Sequence, residues 1–151
     1  MVCLGNICRS PMAEGILRHQ AQERNIAVQT DSCGTSSWHQ GEGADERAVD
    51  NLARKGIDIS DLRSRPFRDS DFEDFDLIYC MDGSNLMEIE SRADSNEQLQ
   101  GVKLILNEVS PGQDSPVPDP YYGGEDGFEH VYNLLNEACS VILDKIEENK
   151  L

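Results

Sequence analysis

Apolar positions along this chain follow two spacings. From Ser10 to Arg24, Ala13, Ile16, Leu17 and Ala21 recur at intervals of three and four, which is one face of a helix. Ser10 reads as its N-cap and Pro11 as its first helical residue. The segment DERAVDNLARKG (45–56) is a second helix, closed by Gly56. SNLMEIESRA (84–93) is a third, and GFEHVYNLLNEACSVILDKIEEN (127–149) is a long amphipathic closing helix. Short apolar runs lie between them. MVC, AVQTDSCGT, DLIYCMD and VKLIL read as strands, the first only a stub. Strands separated by helices of this length predict an α/β fold, a parallel sheet with helices on both faces. Ligands of such sheets sit beyond the carboxyl ends of the strands. Cys3, Asp82 and a loop rich in Pro, Gly and Asp (107–127) fall at those ends.

The chain of 151 residues shows no internal repeat or linker and reads as a single domain over 1–151. Apolar residues make up 38%, with no run long enough to cross a membrane and no leader segment. The formal net charge is −16, spread through the helices. This acidity reads as solubility or adaptation to salt, and it argues against nucleic acid or an anionic membrane as partner. Five cysteines without a secretory segment point to a reducing, cytoplasmic setting. Cys33, Cys80 and Cys139 lie in predicted strands or a helix and read as small buried apolar groups. His19, His39 and His130 have no ligand spacing, so no metal site is expected.

Chemistry concentrates in CLGNICRSP, residues 3–11. A cysteine at a strand end, a short loop and a helix N-terminus make an anion site. Amides of Leu4, Gly5, Asn6, Ile7, Cys8 and Arg9 turn inward as a nest, and the helix adds its positive end. Gly5 permits backbone closed to other residues, and Asn6 tolerates a left-handed one. Arg9 supplies a planar fork for two phosphate oxygens. The same field favours the thiolate of Cys3. Ser10 has two readings. It caps the helix, or its hydroxyl also bonds the sulfur.

CLGNICRSP followed by DPYY (119–122) resembles the low-molecular-weight protein tyrosine phosphatases, and DSCGTSSWH, FDLIYCMDGSN and DPYYGGEDGFEHVY are similar to further stretches of that family. The resemblance implies a four-stranded parallel sheet with the phosphate-binding loop after the first strand. It implies hydrolysis of phosphotyrosine and small aryl phosphates through a phosphocysteine intermediate, with no metal or cofactor. On this match Cys3 is the nucleophile and Arg9 the phosphate clamp. Asp119 is the general acid and then the base, in a loop stiffened by Pro118 and Pro120. Asp114 and Asp126, also loop carboxylates, read as solvated. The loop from Leu4 through Ser10 binds phosphate or vanadate-like anions. Asn6, Ser10 and Ser32 brace it, and Asp82 supports the site. Trp38, Tyr121 and Tyr122 match aromatic walls around a flat ring. Cys8 is a candidate redox partner for Cys3. The expected partner is a phosphotyrosine-containing protein, and the expected state a monomer.

Two departures from the family stand out. Only Met1 and Val2 precede Cys3, where the family has a longer apolar strand that would be central to the sheet. The first strand is therefore expected to be truncated. No histidine stands near Leu62, where members often carry one. Three alternatives fit the sequence less well. Arsenate reduction needs further cysteines after the third strand, and only Cys80 is there. The arginine phosphatases typically carry threonine at the position of Ile7. A non-catalytic phosphate-binding domain would not need Cys3, Arg9 and Asp119 together.

Overall fold

The computed structural model describes all residues, 1–151. Four strands form one sheet: β1 (Val2–Cys3), β2 (Cys33–Gly34), β3 (Ile78–Cys80) and β4 (Val102–Leu104). Their order is β2-β1-β3-β4, and every neighbouring pair is parallel. Between and after them come α1 (Arg9–Glu23), α2 (Glu46–Ala53), α3 (Asp71–Asp74), α4 (Gly83–Arg92), α5 (Asn96–Gln100) and α6 (Glu125–Glu147). A 3₁₀ turn, Ile105–Glu108, follows β4 directly.

Alternation along the strands sorts side chains into two cores, as the pleat requires. Cys3, Tyr79 and Ile105 join a large core with Met12, Ala13, Ile16 and Leu17 of α1 and Phe128, Leu135 and Ile142 of α6. Val2, Cys33, Ile78, Cys80, Val102 and Leu104 point the other way, against Phe67 and Ile89. Helices therefore cover both faces of a four-stranded parallel sheet. The large core is packed tightly between α1 and the loop after α2. A methyl group on Gly15 would come within 2.2 Å of Ile59 Cγ2.

Several elements differ from expectation. Residues 27–35 read as a strand, but only Cys33–Gly34 pairs. A parallel strand is held by its neighbour's ladder, and β1 offers just two residues to pair with. Past β2, the chain 64–67 runs alongside: Gly34 N donates to Arg65 O at 2.8 Å, and Phe67 N to Gly34 O at 2.8 Å. No side chain fits at Gly34, because a Cβ there would lie 2.7 Å from Leu4 O. Ser10 is not a cap. Helix α1 starts at Arg9 with Cys8 as its N-cap residue, no side chain caps it, and Pro11 is third rather than first. Pro11 is still at home there, since N–H groups of the first turn have no helical partner to lose. Helix α2 ends as expected: Gly56 takes φ +77°, and Ile57 N bonds back to Leu52 O at 3.0 Å.

Candidate active site

The loop between β1 and α1 folds around the sulfur of Cys3. Backbone N–H of Asn6 points at Cys3 Sγ from 3.3 Å, and Ser10 Oγ lies 3.0 Å from it. The bend that allows this is at Asn6, with φ +56°. Gly5 does not take the left-handed backbone. Its lack of a side chain serves close approach instead, since a Cβ there would meet His39 Cδ2 at 3.0 Å.

A buried polar chain holds Asn6 in place. Its Oδ1 accepts Arg65 N–H at 3.0 Å, which settles the orientation of the amide. Nδ2 therefore donates to Ser10 Oγ (2.7 Å) and Ser32 Oγ (3.0 Å). Ser32 passes its own hydrogen to Glu14 Oε1 at 2.7 Å. Ser10, already an acceptor from Asn6, has its hydrogen left for the sulfur or for Cys33 O, 3.3 Å away. Burial pushes the Glu14 carboxyl above its ordinary range, against the pull of the Ser32 hydrogen bond. Arg65 is fixed from outside by Asp31 and Asp71.

Arg9 is 3% exposed, so its direction is set by its partners. Nη1 donates to Asp82 Oδ2 at 2.7 Å and to Val117 O at 3.1 Å. Asp82 is itself held as the N-cap of α4, in a reciprocal box with Asn85. Arg9 Nη2 lies 3.8 Å from Asp119 Oδ2 and, like Nε, makes no protein hydrogen bond. One edge of the guanidinium is therefore open to an anion. Asp119 is 42% exposed at its side chain and accepts Tyr121 N–H at 3.0 Å.

These groups line a cavity of about 210 Å³ with Cys3, Leu4, Gly5, Ile7, Cys8, Arg9 and Asp119 around it. Trp38, His39, Tyr121 and Tyr122 form its rim. Trp38 (77% exposed) and Tyr122 (92%) stand out from the surface, and the Tyr121 and Tyr122 rings meet edge to face at 5.1 Å. A larger cavity, about 520 Å³, lies at the amino ends of the strands and touches none of Cys3, Arg9 or Asp119. The site residues expected from the sequence thus fall together. Asn6, Ser10 and Ser32 lie beneath the loop, and Asp82 stands behind Arg9. Asp114 is occupied elsewhere, bonded to Asn107. Sequence reasoning missed Glu14, Arg65, His39, Arg47 and the carbonyl of Val117. Glu14 follows Ser10 by one helical turn and could have been found by that spacing; the others carry no local signal.

Cys8 is buried, and burial pushes its thiol well above the ordinary value, with the charges of Asp45, Cys3 and Asp119 adding and Arg47 opposing. It stays a thiol beside the cavity. Cys33 is pushed up to about 11 and Cys80 to about 12, by burial first in both cases.

A parallel α/β sheet with a cysteine and an arginine bracketing an amide-lined loop, and an aspartate facing them across a cleft, defines a cysteine-dependent phosphatase. The chain belongs to the low molecular weight phosphotyrosine protein phosphatase family, whose model matches residues 1–151. It is 43% identical over 148 residues to the low molecular weight phosphotyrosine protein phosphatase of Schizosaccharomyces pombe, covering 96% of this chain and 94% of that one. A crystal structure of a protein tyrosine phosphatase from Entamoeba histolytica, with Hepes in its active site, superposes with TM-score 0.93 at 39% identity, covering 99% of this chain and 96% of that one. A Drosophila arginine phosphatase superposes at TM-score 0.89 and 34% identity, covering 96% and 94%.

Proposed function

We propose that Cys3, Arg9 and Asp119 carry out the family's hydrolysis of phosphotyrosine in two displacements. The phosphoryl group sits on the loop amides from Leu4 to Arg9, with two of its oxygens on the open edge of Arg9. Cys3 thiolate attacks phosphorus in line. The bond to the phenol oxygen breaks, and Asp119 gives that oxygen its proton. Asp119, now a carboxylate, takes a proton from water. The water oxygen attacks the phosphocysteine, the P–S bond breaks, and inorganic phosphate leaves. Ser10 O–H stabilises the departing thiolate. Ile7 and the rings of Trp38, Tyr121 and Tyr122 make an apolar slot for the aryl group.

The observation that carries this reading is the sulfur of Cys3, facing an amide and a hydroxyl at the floor of the cavity, with Asp119 held beside Arg9 at its rim. Arsenate reduction is less well supported, because Cys33 and Cys80 are buried in the sheet away from the cavity. Ile7 favours an aryl ring over the guanidinium of a phosphoarginine. The proposal extends to one monomeric catalytic domain over residues 1–151, working in the cytoplasm on phosphotyrosine proteins. Its net charge of −16 repels nucleic acid and anionic lipid, and no helix is long and apolar enough to cross a membrane. The test is turnover of phosphotyrosine peptide, phosphoarginine and arsenate by wild type and Cys3→Ser. Phosphotyrosine should be hydrolysed fastest. Cys3→Ser should lose turnover yet still bind phosphate or vanadate. Substantial turnover by Cys3→Ser, or a preference for either other substrate, overturns the reading.

A further inference from the structure

The side-chain hydrogen bonds that reach residues 118–124 from elsewhere in the chain both come from Arg47. Its Nη2 donates to Tyr121 O at 2.9 Å and its Nη1 to Gly123 O at 3.1 Å. The guanidinium carbon lies 5.5 Å from the centre of the Tyr121 ring and 4.8 Å from that of Phe128. On its other side the same guanidinium grips Asp45, through Nε to Oδ1 and Nη2 to Oδ2, both at 3.0 Å. Asp45 is the N-cap of α2, and its backbone N–H donates to Ile7 O at 2.8 Å. A continuous tie therefore runs from the phosphate loop at Ile7, through Asp45 and Arg47, to the backbone on which Asp119 sits. Tyr121 closes the tie, since its N–H holds Asp119 Oδ1.

We infer that Arg47 is a positioning residue for the acid step, setting the height of the Asp119 carboxyl over the Cys3 loop. This rests on Asp119 being the proton donor. Arginine suits the task because its rigid fork addresses acceptors in two directions at once, which a lysine ammonium on a flexible stem does not. Proton transfer is sensitive to such placement, and an error of about 1 Å can cost a hundredfold in rate. The Arg47 side chain makes no hydrogen bond to the loop amides or to Arg9, and the Asp45 N–H that holds Ile7 O is backbone, so anion binding does not depend on Arg47.

The test compares wild type, Arg47→Ala, Arg47→Lys, Asp45→Asn and Asp119→Asn on phosphotyrosine and on 2,4-dinitrophenyl phosphate, whose leaving group needs no proton. Inhibition by inorganic phosphate is measured alongside. Arg47→Ala should lose about ten- to a hundredfold in kcat/KM on phosphotyrosine, which reports the first displacement alone. It should stay within about threefold of wild type in kcat/KM on the activated ester and in phosphate affinity, because neither needs the proton; the second displacement, which uses Asp119 as base for every ester, enters kcat and not kcat/KM. Arg47→Lys should restore little. Asp45→Asn keeps a good N-cap for α2 but weakens the grip on Arg47, so it should show the same selective loss, smaller. If Arg47→Ala does not fold, Asp45→Asn decides. Equal losses in kcat/KM on both esters, weakened phosphate binding, or no loss at all overturn the inference. If Asp119→Asn itself shows no selective loss on phosphotyrosine, the acid assignment has failed and takes this inference with it. If Asp119→Asn is selective and the Arg47 and Asp45 variants are not, only the role of Arg47 is wrong.

Discussion

Replacing Asn6 tests whether the left-handed bend of the loop is maintained by its buried amide. The side chain makes three hydrogen bonds, at 2.7, 3.0 and 3.0 Å, and the residue is 3% exposed. Each buried bond is worth about 0.5–1.5 kcal/mol net, so Asn6→Ala should cost about 1.5–4.5 kcal/mol from these alone. Alanine must also hold φ near +56°, where a Cβ adds about 1–2 kcal/mol. Glycine loses the same bonds but takes positive φ freely. Asn6→Gly should therefore be more stable than Asn6→Ala by about 1 kcal/mol. Urea denaturation at one pH measures both differences, with the slope checked for constancy. Turnover should fall about tenfold or more in each, because Ser10 loses the donor that directs its own hydrogen toward the sulfur. The reasoning is refuted if Asn6→Ala lies within 0.5 kcal/mol of wild type, roughly the scatter of neutral surface changes, or if Asn6→Gly is the less stable of the two.

Three further outcomes follow from the structure. Peroxide should oxidise Cys3 to the sulfenic acid, and attack by the Cys8 thiol should expel water to leave a Cys3–Cys8 disulfide that added dithiol reduces. Cys8→Ser should stay active but fail to recover after peroxide, and full recovery would show that Cys8 only packs. Because burial raises the Glu14 carboxyl in the folded state, its share of stability is present below the unfolded pKa and lost as pH rises through the folded one. The urea midpoint of Glu14→Gln, relative to wild type, should therefore climb as pH rises past the ordinary carboxylate range, where a raised carboxyl loses its proton; a difference that does not change with pH would contradict this. Gly15→Ala should destabilise by about 1–3 kcal/mol despite alanine's better helix propensity, because Ile59 is fully buried at the point of overlap. A higher melting temperature in that variant would mean the core yields there.

What could be read from the sequence follows from how local each signal is. α1 and α6 were legible because their apolar faces repeat over many turns. β2 was not legible in length, because a strand ends where its partner ends, and β1 holds only Val2 and Cys3. α3 and α5, of four and five residues, are too short to show a period. Ser10 before Pro11 looks like a cap, but its hydroxyl is drawn into the chain between Asn6 and Cys3, and the helix begins two residues earlier. Cys3 through Arg9 could be read because seven adjacent residues carry nearly all the groups proposed to meet the anion. Arg65 and Arg47 could not, because what they do depends on partners 59 and 76 positions away.

The loop from Cys3 to Arg9 comes before its supports in chain order, and those supports are spread far along the sequence. Asn6 leans on residues 26 and 59 positions further on, and Arg9 on groups 73 and 108 positions away. Closing such long spans is entropically costly and comes late in folding. A chain emerging from the ribosome thus exposes Cys3, the proposed nucleophile, before it can shape a pocket around it. Arg9 finds its final direction only once Val117 has been made. Through synthesis the cysteine is an ordinary reactive thiol, open to oxidants and without a phosphate to bind. Recovery of phosphatase activity during refolding should accordingly lag the return of helical signal from α1 and α6, making catalysis a reporter of the last long-range closure.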